Sequence, residues 1–224
     1  MKLNTVRRGT AAAAVLALSL TLAACGEDST TDTTTDNAGS DTETSAAADP
    51  QAQTFGPACD AVPTDPEDDG SFIGMADDPV ATAASANPIL TQLVGAVGAV
   101  EGLGDTLNGA EALTVFAPYD PAFEAIPADA LNGLVEEAQA DKTGTESALF
   151  TVLANHVLGE NKAPDAVVGD TDTLAGTTLT VEGDPESGMT VSDGTVTANV
   201  LCGNIPTANA TVYVIDAVLA GPIS

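Results

Sequence analysis

Apolar residues between positions 87 and 100 recur every three or four residues, which is the spacing of one face of a helix. The stretch opens with Asn87-Pro88. An asparagine or aspartate before proline starts a helix, because its side chain accepts a backbone N–H and the fixed φ of proline suits the first turn. The same signal predicts helices after Asp78-Pro79 and Asp120-Pro121, and apolar spacing predicts two more, over residues 128–138 and 146–156.

Alternation of apolar and polar residues takes over after residue 157 and predicts strands. Asp193-Gly194 marks a hairpin, and this pair favours a two-residue type I′ turn. Residues 210–219 are the most apolar run, which predicts a central strand. The predicted strands are residues 113–117, 164–168, 177–182, 188–191, 195–201 and 210–219. Helices in the first half and strands in the second half indicate an α+β domain.

The first 55 residues lack the pattern of a packed fold. Residues 1–24 combine a basic start with an apolar stretch too short to span a membrane, which indicates a signal peptide. They end in a run that resembles a bacterial lipobox, so we predict that Cys25 is lipidated; the alternative is an ordinary signal peptide with a chance cysteine. Residues 25–55 are rich in Thr, Ser and Asp, which predicts a disordered acidic tether. The folded domain is then residues 56–224.

Charge narrows the classes of partner. The chain has 33 acidic residues against five basic ones, and three of the basic residues lie in the predicted signal peptide. The exported chain therefore carries 33 acids against two lysines, a formal charge of −31. Such a balance argues against nucleic acid and against docking of the domain face on anionic lipid. It favours solubility at a cell surface or a cationic partner.

Three motifs resemble the signature motifs of fasciclin (FAS1) domains and occur in that family's order. They are LTVFAPYDPAFEAIP at residues 113–127, LANHVLGE at 153–160 and ATVYVIDAVLAGP at 210–222. The runs at residues 56–59 and 202–216 are similar to the single-domain fasciclin antigens that mycobacteria and their relatives secrete or anchor by lipid. The resemblance implies a wedge-shaped β-sandwich with a layer of α-helices from the first half of the domain.

Two cysteines, Cys59 and Cys202, remain once Cys25 is lipidated. The resembled subgroup keeps one disulfide between its N-terminal segment and a late strand. Export places the chain in an oxidising compartment, so we predict a Cys59–Cys202 disulfide. The alternatives are two buried free thiols or a metal site, and no other soft ligands accompany the pair to support a metal.

The chain's only histidine, His156, disfavours catalytic triads and multi-histidine zinc sites, and we predict no catalytic residue, metal or cofactor. Its position matches the family's histidine, and Asn155 stands where the family often has tyrosine. Adhesion proposals for the family also involve an aspartate near an isoleucine, here Asp216 and Ile215. These four are the candidate binding residues. The alternatives are a histidine bonded to backbone at a helix end and an edge carboxylate bonded to backbone in a turn.

The resemblance, the tether and the predicted anchor indicate a surface binding or adhesion module. We expect it on the outer face of the bacterial cytoplasmic membrane or cell surface, held by lipid at Cys25 and partly released. It would present one monomeric fasciclin domain to an extracellular protein or glycan, and not to nucleic acid. The alternative is a carrier of a hydrophobic ligand in an apolar groove between helices and sheet. An enzyme is the least favoured class, because the chain has no nucleophile motif.

Overall fold

The structure is a computed structural model that describes residues 49–220. Cys25 and the predicted signal peptide lie outside these residues, and the division into signal peptide, tether and domain stays a prediction. Pro50–Gln53 forms a short 3-10 turn. Phe55 and Gly203 then exchange two backbone hydrogen bonds, of 3.2 and 2.8 Å. Backbone pairing of the fold therefore begins at Phe55, one residue before the predicted boundary at residue 56.

Helices fill the first half, as predicted. They are α1 (Phe72–Asp77), α2 (Val80–Ala86), α3 (Thr91–Ala99), α4 (Leu103–Gly109), α5 (Asp120–Glu124), α6 (Ala128–Ala140), α7 (Ala148–Ala154) and α8 (Pro164–Val167). Two of them have serine caps: Ser71 accepts the N–H of Gly74 and Ser147 accepts the N–H of Phe150, each at 3.1 Å. A hydroxyl at this position satisfies a backbone donor that has no partner within the helix.

Three helices differ from the sequence prediction. Helices α1 and α4 were not predicted, and residues 164–168, predicted as a strand, contain α8 instead. Proline at the first position with Asp165 in the first turn starts α8, because both suit a helix N-terminus. Before α4, Gly102 has φ 71°, a left-handed conformation that glycine adopts without steric cost and that lets the chain start a new helix at once.

Seven strands form one sheet within residues 49–220, in the order β2-β1-β7-β6-β5-β4-β3. The strands are β1 (Leu113–Pro118), β2 (Val157–Leu158), β3 (Gly169–Asp172), β4 (Thr178–Asp184), β5 (Gly188–Ser192), β6 (Thr197–Pro206) and β7 (Ala210–Ile215). β1 and β7 pair in parallel and the other pairs are antiparallel. β7 lies between β1 and β6, so the predicted position of the last strand inside the sheet is confirmed.

Strand β6 belongs to both halves of this sheet. Its first part, Thr197 to Asn199, pairs with β5, and its second part, from Val200 to Pro206, pairs with β7 through two register shifts. Alternate residues of β1 and β7 face two separate cores. Val115 and Val214 pack against the helices, whereas the core between the sheet halves contains Phe116, Tyr213, Ile215, Leu179, Val181 and Val191. The predicted α+β sandwich with a helical layer is confirmed.

The β5–β6 hairpin is confirmed, but its predicted type I′ turn is wrong. Residues 193–196 form a four-residue loop, because Ser192 pairs with Thr197. Asp193 accepts the N–H groups of Thr195 and Val196 at 2.8 and 2.7 Å. Only Gly194 has a positive φ there, of 84°, whereas a type I′ turn needs positive φ at both central residues. The Asp193 side chain thus accepts N–H groups at a place where a type I′ turn would form a backbone hydrogen bond.

The predicted disulfide between Cys59 and Cys202 is present. It joins the segment before α1 to the middle of β6, and 143 residues separate the two cysteines in sequence. The bond therefore anchors the start of the domain to the strand that both halves of the sheet share.

Candidate functional site

His156 lies at the C-terminal end of α7 and is buried. Its Nδ1 lies 2.8 Å from the carbonyl oxygen of Val152, and its Nε2 accepts the backbone N–H of Leu219 at 2.9 Å. Because Nε2 is an acceptor, the ring proton is on Nδ1, which donates to Val152. Both ring nitrogens are therefore occupied by backbone groups.

Asn155, also buried, binds the same residue as its neighbour. Its Nδ2 donates to the carbonyl oxygen of Leu219 at 3.0 Å, and its Oδ1 accepts a hydrogen bond from the hydroxyl of Thr177. Both backbone groups of Leu219 are thus bound by adjacent side chains at the end of α7. This pair holds the segment that follows β7 against the helix.

Burial determines the charge of His156. Desolvation lowers its pKa to about 4, and the hydrogen bond to Val152 and the charge of Asp193 oppose this shift without cancelling it. The imidazole is therefore neutral at pH 7. It acts as a buried hydrogen-bonding group and not as a cation at the C-terminal end of the helix.

The other two candidate binding residues also have structural partners. Asp216 accepts hydrogen bonds from the backbone N–H and the Nδ2 of Asn199, both at 2.7 Å, and so ties the end of β7 to β6. Ile215 is fully buried in the core between the sheet halves. Three of the four candidate residues are buried and do not form an exposed patch. Their role in binding a partner stays a prediction.

An apolar cavity of about 140 Å³ lies between helices α2, α3, α4 and α7 and strand β1. The sequence allowed an apolar groove between helices and sheet but did not identify the residues that line it. Most of its lining side chains are hydrocarbon. They are Val80, Ala81, Ala84, Leu93, Val94, Val97, Leu103, Thr106, Leu107, Val115, Phe116, Phe150, Leu153, Ala154, His156, Val157 and Leu174. Part of the apolar stripe predicted for α3 lines the cavity, but α4 and Leu174 carried no signal that pointed to it.

The few polar groups that line the cavity are already bonded. The hydroxyl of Thr106 donates to the carbonyl oxygen of Gly102 at 2.9 Å. The two nitrogens of His156 bind Val152 and Leu219, as described. Every buried side-chain nitrogen or oxygen in the described part of the chain has a partner. The cavity therefore has an apolar wall: the buried His156 has no free ring nitrogen, and the exposed Thr106 hydroxyl, which has donated its proton, can act only as an acceptor.

Leu174 lies at the rim of the cavity and is 55% exposed. Its backbone N–H donates to the carbonyl oxygen of Val157 at 2.8 Å, which fixes it over the end of β2. Val94, Val97 and Phe150 are the other large apolar lining residues that are partly exposed. We call these four side chains, together with the exposed Thr106, the mouth of the cavity.

The rest of the described surface is strongly acidic. Residues 49–220 contain 27 acidic residues and two lysines. Lys162 donates to Thr171 at 3.1 Å and lies 3.4 Å from a carboxylate oxygen of Glu160. In this part of the chain, His, Cys, Asp and Glu side chains form no group of three or more that could hold a metal ion. None of the helices in residues 49–220 is long and apolar enough to cross a membrane.

Comparisons with known proteins agree with the motifs. The fasciclin domain model matches residues 88–221. The chain is 41% identical over 184 residues to the cell surface glycolipoprotein MPT83 of Mycobacterium tuberculosis, which covers 80% of this chain and 77% of that protein. It is 40% identical over 173 residues to the immunogenic protein MPB70 of Mycobacterium bovis, which covers 75% of this chain and 82% of that protein.

A solved structure, the FAS1 domain pair from the insect cell adhesion molecule Fasciclin I, is similar at 20% sequence identity and a TM-score of 0.46. The match covers 61% of this chain and 46% of the Fasciclin I chain. This chain therefore spans under half the length of that solved structure.

Proposed function

The chain belongs to the fasciclin domain family, and from this membership we propose that it is a lipid-anchored binding module of a bacterial cell surface. It presents one fasciclin domain, as a monomer, to an extracellular protein or glycan. The names of its relatives, a cell surface glycolipoprotein and an immunogenic protein, agree with the predicted export and surface location. Lipid at Cys25 would anchor it to the membrane, and the proposal contains no catalytic step.

One surface feature of the fold supports a binding role. Strands β3, β4 and β5 present an exposed polar face, which we call the acidic sheet face. It consists of Asp170, Asp172, Thr178, Thr180, Glu182 and Thr190, which alternate along the strands and lie opposite one another in register. Threonine hydroxyls donate to two of the carboxylates, Thr178 to Asp172 at 3.0 Å and Thr180 to Asp170 at 2.8 Å, which orients these side chains.

Carboxylates and hydroxyls held on one face of a sheet can bind either class of proposed partner. Carboxylates attract a cationic protein surface, and both groups accept hydrogen bonds from the hydroxyls of a glycan. β3 is also the last strand of the sheet, so this face lies at an accessible edge. Loops and faces on a disulfide-linked scaffold are suited to recognition, because little has to be ordered on binding.

The experiment compares binding to intact cells of the native host by two variants of the exported chain. The first variant neutralises the acidic sheet face with Asp170→Asn, Asp172→Asn and Glu182→Gln. The second makes the same change in charge on exposed helix residues, with Glu124→Gln, Asp129→Asn and Glu136→Gln. Cross-linking with capture and mass spectrometry identifies the bound partner.

We expect the face variant to lose binding about tenfold or more, equivalent to about 1.4 kcal/mol, while the helix variant binds like the unmodified chain. An equal loss in both variants would indicate an effect of net charge alone. Saturable binding that neither variant changes would contradict a role for this face.

A second candidate function, carriage of a hydrophobic ligand at the cell envelope, is favoured by the apolar cavity. Ligand sites are commonly apolar concavities, and this one combines a hydrocarbon wall with an exposed leucine at its mouth. Co-purification of an apolar molecule with the chain, and no protein or glycan after cross-linking, would favour the carrier over the binding module.

A further inference from the structure

We propose that the apolar cavity binds the end of an unbranched hydrocarbon chain whose uncharged polar head stays outside, beside Leu174. The inference rests on the second candidate function, and it adds the chemical class of the ligand and the direction in which it enters. The hydrocarbon end passes between α3 and α7 and comes to lie against β1.

The size of the cavity sets how much of a ligand it can hold. Its volume of about 140 Å³ is close to that of an engineered apolar cavity of about 150 Å³ that stays dry and takes up benzene or xenon. Pockets for drug-sized ligands measure about 300–1,000 Å³. The cavity therefore accepts a group of about the size of benzene, which is one end of a longer molecule.

The chemistry of the wall excludes polar groups from the interior. Thr106 and His156 are the polar residues of the lining. Both ring nitrogens of the buried His156 bind backbone groups, and Thr106, whose hydroxyl donates to Gly102, is exposed and lies outside the buried part of the cavity. A polar ligand group would lose its water in the buried part of the cavity without gaining a partner, which is unfavourable. Only hydrocarbon is expected to enter.

A second, smaller space adjoins the cavity, which favours a slender chain over a ring. A second cavity of about 30 Å³ shares Val80, Ala84, Leu93 and Val115 with the first. The two spaces therefore adjoin at these side chains, and the second is also lined by Ile205 on β6. A slender alkyl end can enter this second space when these side chains shift, whereas a volume of about 30 Å³ is too small for a ring.

Charge selects the head group at the mouth. Neither Lys142 nor Lys162 lines the cavity, and residues 49–220 carry 27 acids against these two lysines. Both lysines also have partners of their own, since Lys142 donates to the carbonyl oxygen of Gln139 and Lys162 lies beside Glu160. The surrounding field therefore disfavours a carboxylate head and leaves an uncharged head, such as a hydroxyl, as the better ligand.

The test uses the exported chain with Cys25→Ser, so that no acyl chain of its own competes, with isotope-labelled Val and Leu methyl groups observed by NMR. Benzene, 1-octanol and octanoate are the probes. We expect saturable shifts from 1-octanol and benzene at Val97, Leu153 and Leu174, and none at Val191 in the other core. Octanoate should bind about tenfold more weakly at low salt, and the difference should narrow at high salt.

Two pairs of variants locate the site. Ala84→Leu fills the space that both cavities share, and Ala130→Leu makes the same change on the exposed surface of α6. Leu174→Ala opens the mouth, and Val168→Ala truncates another exposed side chain, 46% exposed against 55% for Leu174. We expect about tenfold weaker 1-octanol binding for Ala84→Leu, a smaller loss for Leu174→Ala, and no change in either control. Thermal melting verifies that each variant is folded.

Absence of saturable shifts with both 1-octanol and benzene would overturn the proposal, and so would 1-octanol binding that Ala84→Leu leaves unchanged. Tighter binding of octanoate than of 1-octanol would overturn the uncharged head. These titrations need no cellular partner, so their result is independent of the cross-linking experiment. Ala84→Leu should bind cells normally if the acidic sheet face alone recognises the partner.

Discussion

Asn209 accepts a hydrogen bond from the backbone N–H of Val80 at 2.9 Å, although 129 residues separate the two in the chain. Its Nδ2 donates to the carbonyl oxygens of Leu107 and Ala110 at 2.8 and 2.9 Å. One side chain therefore caps the start of α2 and binds carbonyl groups at the end of α4. Both of these helices line the apolar cavity.

Replacing this residue should loosen both helix ends. We expect Asn209→Ala to lower the free energy of unfolding by about 2–3 kcal/mol, because it removes a helix cap and leaves two carbonyl groups without their partner. Urea unfolding measures the change. Asn132→Ala, on the exposed surface of α6, is the matched control and should change stability by less than about 0.5 kcal/mol. Similar losses in both variants would contradict the assigned role.

Asp120 caps a helix other than its own. Its carboxylate accepts the N–H of Gln92 at 2.8 Å and the hydroxyl of Thr91 at 2.6 Å, both in the first turn of α3. We expect Asp120→Ala to cost about 1–2 kcal/mol of unfolding free energy, the typical value of a helix cap. Asp129→Ala, in the first turn of α6, serves as the control for the loss of a negative charge near a helix N-terminus. An effect no larger than that of the control would show that the bonds to α3 add nothing.

The buried His156 predicts a dependence of stability on pH. Its folded pKa of about 4 lies below its ordinary value of 6.5, so the unfolded chain binds a proton first as the pH falls. The stabilisation is complete above pH 6.5 and is lost progressively between pH 6.5 and pH 4. The shift corresponds to a loss of about 3 kcal/mol by pH 4.

Urea unfolding between pH 8 and pH 4 measures this loss in the unmodified chain and in His156→Gln. The variant is expected to be less stable at pH 8 but to show a shallower fall on acidification. Carboxylates whose pKa is lowered by hydrogen bonds, such as Asp184 beside Ser187, contribute equally to both curves and cancel in the difference. Parallel curves would mean that His156 does not titrate as a buried neutral group.

The Cys59–Cys202 disulfide should contribute substantially to stability. It closes a loop of 143 residues, for which the chain-entropy model gives about 5 kcal/mol, less any strain. We expect reducing agent to lower the melting temperature of the unmodified chain markedly. The variant with Cys59→Ala and Cys202→Ala should melt at that lower temperature with or without reductant. A melting temperature unaffected by reduction would contradict this contribution.

Local signals explain which parts of the fold were predictable. The strand, turn and helix of residues 113–124 follow from three signals that lie close together in the sequence. These are β-branched residues, a proline that ends the strand and an aspartate-proline pair that starts the helix. The sequence nevertheless assigned the Asp120 side chain to its own helix. Its partner Gln92 lies 28 residues away, and no local pattern encodes that contact.

The candidate site shows the same limit. The family motif located His156, but its burial depends on Leu219, 63 residues further along the chain. The apolar stripe of α3 was predicted as core, and part of it faces a space that neighbouring side chains leave unfilled. The cavity is the space that four helices and one strand leave unfilled where they pack together. No single element therefore carries a sequence pattern that predicts it. The short helix α4, with two glycines in seven residues, had too weak a pattern to be predicted.

The disulfide also determines how the domain would bear a mechanical load. In a protein held by its N-terminal end, tension enters the fold at Phe55 and Cys59, and the covalent bond passes it directly to Cys202. The load is then carried by β6 and the strands bonded to it on either side, while the helices around the cavity stay outside the direct path of force. A surface domain built in this way can be pulled by a partner without its helical layer being unravelled from the anchored end.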